Sequence, residues 1–340
     1  MDFNKLGLNR FAYNIEDKSR LGRVSAQYRD LYKIVTKEGE IMATLSGKRY
    51  FQSDKSDFPV VGDWVLFERY NKDSQAQIKD VLDRQSQISR NQAGKKEEEQ
   101  IIAANIDIIF IVTSLNQDFN KRRLERYLTI AWDSGAKPII ILNKSDLCNN
   151  IEHFKSEIED IAFGTEYIVS SCVNDEGIVE IRKALKPDKT AVLIGSSGVG
   201  KSSIINLLLG EKKQNIKEIR EDDARGRHTT TNRELFLLPE GGVIIDTPGM
   251  REIQLWVDED SLDSVFSEID QFASDCKFND CSHTHEPGCA VKDAVKTGEL
   301  SQDRLDNYFK MKREIKYQKL KEKYNAKKAN KIKWQNLMKQ

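Results

Sequence analysis

One eight-residue stretch constrains the fold more than any other part of the chain. It reads G-S-S-G-V-G-K-S from Gly195 to Ser202 and matches the phosphate-loop pattern G-x-x-x-x-G-K-[ST]. An apolar run, Thr190–Ile194, precedes this loop, and a helical pattern over 203–209 follows it. A strand, a glycine-rich loop and a helix in this order are the context in which the motif binds phosphate. The sequence therefore predicts a nucleoside-triphosphate site in a parallel α/β sheet.

The residues of this loop have distinct expected roles. The glycines let backbone N–H groups converge on phosphate oxygens, and the start of the following helix adds positive potential. We expect Lys201 to reach the β- and γ-phosphates and the Ser202 hydroxyl to bind Mg²⁺. The nucleotide-binding residues predicted in this segment are Gly195, Ser196, Ser197, Gly198, Val199, Gly200, Lys201, Ser202 and Ser203.

A second motif predicts which base is bound. The apolar run 137–142 leads into Asn143, Lys144, Ser145 and Asp146, which form the pattern N-K-x-D. Ligands of parallel sheets bind beyond the carboxyl ends of the strands. The Asp146 carboxylate can accept hydrogen bonds from guanine N1–H and the 2-amino group, and adenine lacks this donor pair, so we expect GTP rather than ATP. Lys144 would lie along the base plane, and Asn143 would brace the loop.

A third segment follows the apolar run Tyr167–Val169. Its residues Ser171 and Cys172 resemble the [ST]-A loop of GTPases, whose backbone N–H meets guanine O6, with Cys172 where alanine is usual. We expect both residues at the base site, and a redox role for Cys172 is the less favoured alternative.

Two motifs after the phosphate loop have the character of γ-phosphate switches. The first is G-R-H-T-T-T over 226–231, and the second is D-T-P-G over 246–249. We expect Thr230 to bind Mg²⁺ in the triphosphate state, Asp246 to lie near that ion through water, and the Gly249 amide to meet the γ-phosphate. Loss of the γ-phosphate would release both segments.

The order of these motifs is rotated relative to ordinary GTPases, which begin with the phosphate loop and end with the base-reading loops, whereas here the base-reading loops come first. The same parts in a rotated order indicate a circular permutation, which a sheet tolerates because chain termini often lie close together. On G-S-S-G-V-G-K-S, N-K-S-D, G-R-H-T-T-T and D-T-P-G together, the chain resembles the circularly permuted, small-ribosomal-subunit-dependent GTPases (RsgA, also called YjeQ). The resemblance implies a GTPase that acts late in maturation of the small (30S) ribosomal subunit, is stimulated by it, and has the subunit and its rRNA as partners.

The residue that orients the attacking water is not evident from the motifs. Ras-type enzymes use a glutamine after D-x-x-G, and here that position is Met250. His228 in the first switch is the catalytic candidate, which the resemblance supports. A structural or RNA-contacting role is the alternative for this histidine.

The first ninety residues predict a small barrel. Five strand-like runs (21–27, 31–36, 41–45, 64–68 and 76–81) are separated by turn residues. An OB-fold, which binds nucleic acid on one face, is the natural candidate, and an SH3-like barrel fits nearly as well. Interleaved basic and aromatic residues, among them Arg23, Tyr28 and Tyr32, would either contact RNA or fill the core.

From 101 to 253 apolar runs alternate with helical patterns, as in a parallel sheet covered by helices on both faces. The predicted architecture is multidomain. It comprises an OB-like RNA-binding barrel (1–90), a central circularly permuted α/β P-loop GTPase domain (91–255) and a zinc-binding domain with basic C-terminal helices (256–340). The polar segment 85–100 is predicted to be a linker between the first two.

The C-terminal region carries a metal-ligand pattern. Cys276, Cys281, His283 and Cys289 supply three thiolates and an imidazole within a short span. This set predicts one closed, tetrahedral, structural zinc site without an open position for catalysis. Zinc binding would then supply much of the folding energy of this segment.

Composition limits the partners. The 340 residues include 54 basic and 54 acidic side chains, and no apolar run approaches the roughly 18 residues that span a membrane. We expect a cytoplasmic, monomeric protein that binds GTP and GDP and no membrane. The lysine-rich run 310–340 favours rRNA contact, or else a helix packed with its charged face in water. The alternative functions are a GTP-switched RNA-binding module and a translation regulator on mature ribosomes.

Overall fold

The computed structural model describes most of the chain. The described residues are 2–8, 17–28, 31–46, 57–69, 75–91, 99–162, 164–210, 233–247 and 258–323. Among the helices in these ranges, none combines the length and the apolar character that crossing a membrane requires.

The N-terminal region is a closed barrel of β1 (Leu21–Gln27), β2 (Tyr32–Thr36), β3 (Gly39–Leu45), β4 (Trp64–Arg69) and β5 (Gln75–Val81). Strands β1, β2 and β3 pair antiparallel in sequence, but β3 then pairs parallel with β5. Strand β5 pairs antiparallel with β4, which closes the barrel on β1. A simple meander would pair β3 with β4, so this order confirms the OB-like prediction.

Two of the residues considered for RNA contact are buried instead. Arg23 is 0% exposed, and its guanidinium donates to the carbonyl oxygens of Gly62 at 3.1 Å, Asn105 at 3.2 Å, and Leu6. Tyr32 is 3% exposed and belongs to the barrel core. Arg23 therefore joins the barrel to the N-terminal segment and to the start of the central region. Of the two roles left open for these residues, RNA contact or the core, their burial favours the core.

The segment 85–100 is not a plain linker. It contains β6 (Gln87–Asn91) and the start of β7 (Glu99–Ala104), which pair antiparallel with each other. Ile88 and Ile102 are 1% and 2% exposed and lie in the largest hydrophobic cluster. Burial of these isoleucines outweighs the polar composition of the segment, so the linker prediction is wrong for the described part.

The central sheet has the predicted parallel core. Its strands lie in the order β10 (Tyr167–Val169), β9 (Lys137–Asn143), β8 (Ile108–Ser114), β11 (Thr190–Ile194), β13 (Val243–Asp246) and β12 (Glu234–Leu237). The first five run parallel, and β12 is antiparallel to β13. Strand β12 also pairs with β1 of the barrel, so the two sheets are continuous.

Helices cover both faces of the central sheet. The α-helices of the described residues are α1 (Lys121–Asp133), α2 (Ile151–Glu159), α3 (Ile178–Leu185), α4 (Lys201–Leu209), α5 (Glu259–Val265), α6 (Ser267–Ser274), α7 (Ala290–Thr297) and α8 (Gln302–Lys323), of which the last four form the C-terminal region. Helices α3 and α4 share one hydrophobic cluster with the sheet. Helix α1 shares the other cluster with the C-terminal helices, so the C-terminal region packs on the α1 side.

The lysine-rich α8 is a packed helix. Leu305, Tyr308, Met311 and Ile315 recur at helical spacing and are each 3% exposed or less. These apolar positions dock the helix on the protein, while most of its charged residues stay at the surface. Residues 324–340 of the basic run lie outside the described ranges.

Candidate nucleotide site and metal site

The phosphate loop connects the buried strand β11 to α4, and two of its glycines are required by close contacts. Gly195 has φ 146°, and a Cβ there would lie 2.2 Å from the Val112 carbonyl oxygen of β8. Gly200 has φ 104°, and a Cβ there would lie 2.1 Å from Nδ2 of Asn143. Neighbouring strands therefore press against the loop from two sides, and only glycine fits at these positions.

The predicted loop residues lie together in one strand–loop–helix unit. Val199 is 1% exposed and anchors the turn, with Ser197 and Gly198 before it. Lys201 opens α4, and its ammonium donates to the carbonyl oxygens of Gly195 at 2.7 Å and Ser196 at 2.5 Å. Ser202 and Ser203 follow in the first helical turn.

The base loop and the phosphate loop are in direct contact. Asn143 ends β9 and is 1% exposed. Its Nδ2 donates to the Val199 carbonyl at 2.8 Å, and its Oδ1 accepts from Ser170 Oγ at 3.2 Å. The side chain of Asn143 therefore ties the end of β9 to the phosphate loop and to Ser170.

The N-K-x-D loop is also tied to the Ser171 segment. Lys144 has a left-handed backbone, with φ 64°, where the chain turns out of β9. Ser171 Oγ donates to Asp146 Oδ1 at 2.5 Å, and Ser145 Oγ donates to Glu176 Oε2 at 2.6 Å. Glu176 belongs to no motif, and only its place shortly after Ser171 in the sequence could have indicated it.

Cys172 lies where its thiol contacts the base loop. It is half-buried, and its Sγ donates to Asn143 Oδ1 at 3.6 Å. Burial raises the pKa of this thiol, which keeps it protonated at neutral pH. A protonated donor suits a packing role beside Asn143, because a nucleophilic or redox-active cysteine needs the thiolate.

The second switch motif begins at the same edge of the sheet. Strand β13 runs parallel to β11 and ends at Asp246, so this carboxylate follows the strand next to the phosphate loop. His228, Thr230, Gly249 and Met250 lie outside the described residues. The carboxyl ends of β9, β10, β11 and β13 thus bring together those predicted nucleotide-binding residues that the structure describes.

The four predicted metal ligands converge. The ligand atoms of Cys276, Cys281, His283 and Cys289 all lie within 4.8 Å of one another. His283 Nδ1 is 3.6 Å from the sulfur of Cys276 and 3.5 Å from that of Cys289, and these two sulfurs are 3.9 Å apart. Tetrahedral zinc with bonds of about 2.0 Å to nitrogen and 2.3 Å to sulfur requires separations close to these.

The surroundings shift the pKa values of three of these ligands in different directions. Burial opposes ionisation of the Cys276 thiol, but hydrogen bonds with the backbone of Val291 and Ala290 and with the other two thiols together lower its pKa. Burial raises the pKa of the Cys281 thiol to about 11. Burial lowers the pKa of His283, which favours the neutral imidazole that ligates metals. The identity of the four donors and the separations of their ligand atoms therefore fit one structural zinc ion.

The chain is similar to known proteins over most of its length. Residues 81–256 match the family model described as RsgA GTPase. A protein of Lactiplantibacillus plantarum named small ribosomal subunit biogenesis GTPase RsgA 2 is 48% identical over 304 residues, which cover 89% of this chain and 85% of that protein. The Methanosarcina acetivorans protein named small ribosomal subunit biogenesis GTPase RsgA is 41% identical, with 93% of this chain and 85% of that protein covered.

Two solved structures share the fold. YjeQ from Thermotoga maritima matches with a TM-score of 0.63 at 28% identity, over 87% of this chain and 98% of that one. YloQ, described as a circularly permuted GTPase, matches with a TM-score of 0.63 at 24% identity, over 90% of this chain and 98% of that one.

Proposed function

The chain belongs to the RsgA GTPase family, and on that premise we propose that it hydrolyses GTP to GDP and phosphate during biogenesis of the small ribosomal subunit. The contact between Asn143 and Val199 carries the proposal. It joins the base-reading loop to the phosphate loop although the permuted chain presents them in reverse order. In a nucleotide bound at this edge, the base would lie on the first loop and the phosphates on the second, and the hydrogen bond between the loops would fix their relative positions.

We propose that guanine is read by Asp146, whose carboxylate pairs with N1–H and the 2-amino group. Ser171 supports this role because its hydroxyl donates to Asp146 and orients the carboxylate. Lys144 would flank the base, and Ser145 would hold the loop through Glu176. The backbone of Ser171 and Cys172 would face guanine O6.

The phosphates would lie on the loop 195–203, with Lys201 neutralising charge on the β- and γ-phosphates. Ser202 and Thr230 would hold Mg²⁺, which stabilises the charge of the transferring phosphoryl group. Asp246 would face that ion through water, and the Gly249 amide would bind the γ-phosphate. Met250 cannot orient water, so we assign this task to His228.

The remaining parts of the proposal concern stability and partners. Cys276, Cys281, His283 and Cys289 would hold one structural zinc ion. The OB-like barrel (1–90), the GTPase domain (91–255) and the zinc-binding domain (256–340) would act as the functional units. The barrel and the basic C-terminal run would contact rRNA of the small subunit. We propose a cytosolic monomer, in keeping with relatives named for ribosomal subunit biogenesis.

Steady-state GTP hydrolysis by the pure protein, alone and with small ribosomal subunits, tests this function. We expect slow turnover alone and strong stimulation by the subunit, because Met250 leaves the water-orienting position incomplete. Binding of GTP without stimulation would instead support a GTP-switched RNA-binding module. Stimulation by mature particles in preference to immature ones would support translation regulation.

A further inference from the structure

Helix α1 contacts the phosphate loop through an arginine that no sequence motif contains. Arg123 Nη1 donates to Ser196 Oγ and also to Asp118 Oδ1 at 3.2 Å. Ser196 is the second residue of the phosphate loop and lies 73 positions along the chain from Arg123. The bond therefore joins two separate elements at the nucleotide-binding edge of the sheet.

The position of Arg123 follows from the local structure of α1. Asn120 caps the helix, and its Oδ1 accepts from the Arg123 backbone N–H at 3.0 Å. Strand β8, which precedes α1, runs parallel to β11, which precedes the phosphate loop. The carboxyl ends of these strands are neighbours, so the first turn of α1 necessarily lies beside the loop.

A second side chain of α1 faces the same serine. Tyr127 is 4% exposed and lies one helical turn beyond Arg123. Its burial raises the pKa of the phenol, and a hydrogen bond with Ser196 opposes that rise. Asp118, Arg123, Tyr127 and Ser196 together line a cleft between β8, α1 and the loop.

Helix α1 is also held by contacts with the C-terminal region. Arg126 Nη1 lies 2.8 Å from Glu314 Oε2 of α8, and Asp133 Oδ1 accepts from the Asp258 backbone N–H at 2.8 Å. The helix thus offers a fixed support for the phosphate loop rather than a mobile surface contact.

From this geometry we propose that Arg123 is a positioning residue of the phosphate loop, which holds Ser196 so that the loop N–H groups meet the nucleotide phosphates. This inference rests on the proposed function. Arg123 acts through Ser196 and is therefore distinct from the residues that bind GTP. Phosphate loops bind through backbone groups, so a small displacement of the loop weakens every phosphate contact at once.

A double-mutant cycle in the full chain tests the pair. Arg123→Ala and Ser196→Ala are each expected to weaken GDP and GTP binding about tenfold, as loss of a charge-assisted bond would. The double variant should also be about tenfold weaker, because both substitutions remove one interaction. KM should rise with the dissociation constant while kcat changes less than about threefold, and Arg123→Lys should restore part of the affinity.

Arg122→Ala is the matched control, since it removes the same charge one residue away, where the described partner of the side chain is the exposed Asp303. Its nucleotide affinity should stay within about twofold of the wild type. The inference would be overturned if the loss of nucleotide affinity in the double variant equalled the product of the two single losses. It would also be overturned if Arg122→Ala lost as much affinity as Arg123→Ala. A wild-type chain that fails to bind GTP would instead overturn the proposed function.

Discussion

Arg304 of α8 and Glu125 of α1 form a buried ion pair, with 2.7 Å between Nη1 and Oε1. The two side chains are 9% and 2% exposed. Arg304 also pairs with Glu268 of α6, and its guanidinium lies 4.7 Å from the centre of the Phe266 ring. One arginine therefore fastens the C-terminal helices to the central domain.

Arg304→Ala should lower the free energy of unfolding by about 3 to 5 kcal/mol, because it leaves Glu125 buried without its cation. Urea unfolding followed by tryptophan fluorescence measures the loss. Arg122→Ala breaks an ion pair whose side chains are 49% and 87% exposed, and it should cost less than about 1 kcal/mol. Similar losses in the two variants would show that the buried pair has no special role.

The instability of the Arg304→Ala variant should depend on pH. Burial raises the pKa of Glu125 above its ordinary 4.5, and Arg304 partly opposes the rise. Without Arg304 the folded pKa rises further, so the folded state binds more protons than the unfolded state between 4.5 and that raised value. Stability of the variant should therefore increase as the pH falls into this window. The difference in the free energy of unfolding between the variant and the wild type, measured by urea unfolding at a series of pH values, should therefore shrink in this window. A difference that stays constant with pH would contradict the role of Glu125.

Asp146→Asn should weaken GTP binding at least about 100-fold and should favour xanthosine triphosphate, because the amide suits the 2-oxo group of xanthine. Competition binding with the two nucleotides measures the change. Asp175→Asn makes the same substitution at an exposed neighbouring acid and should leave the preference for GTP intact. Unchanged specificity in Asp146→Asn would exclude its carboxylate as the base reader.

His228→Ala should lower GTP turnover about 100-fold, as loss of a water-orienting group would, while GTP affinity stays within about twofold. Single-turnover hydrolysis and equilibrium binding separate the two quantities. Turnover equal to the wild type would assign this histidine a structural or RNA-contacting role.

Cys281→Ala should abolish zinc binding and destabilise the C-terminal helices, since a structural site needs all four ligands. Elemental analysis should find about one zinc ion per wild-type chain and close to none in the variant. Cys148→Ala, which changes a half-buried cysteine outside the cluster, should retain the metal. Full metal content in Cys281→Ala would remove this cysteine from the ligand set.

The sequence was largely sufficient to predict those features that depend on residues close together in the chain. The strand Thr190–Ile194, the glycine-rich loop and α4 follow one another in the chain, and their geometry depends on neighbouring residues. The four metal ligands lie within fourteen consecutive positions, from Cys276 to Cys289, so their convergence needs only a short fold of the backbone. The OB-like strand runs were likewise predictable from alternation and turn residues, and β1 has the predicted bounds.

Contacts between distant residues could be decided only by the tertiary structure. Arg23 belongs to a stretch of interleaved basic and aromatic residues, which is a pattern typical of RNA-binding surfaces. The packing of the barrel against the central region nevertheless buries it. The bonds of Arg123 with Ser196 and of Arg304 with Glu125 join side chains 73 and 179 positions apart. The sequence by itself determined which loops can bind a nucleotide and a metal, because those patterns are local. The fold decided which side chains support those loops, because strand order and helix packing bring together residues that no spacing along the chain relates.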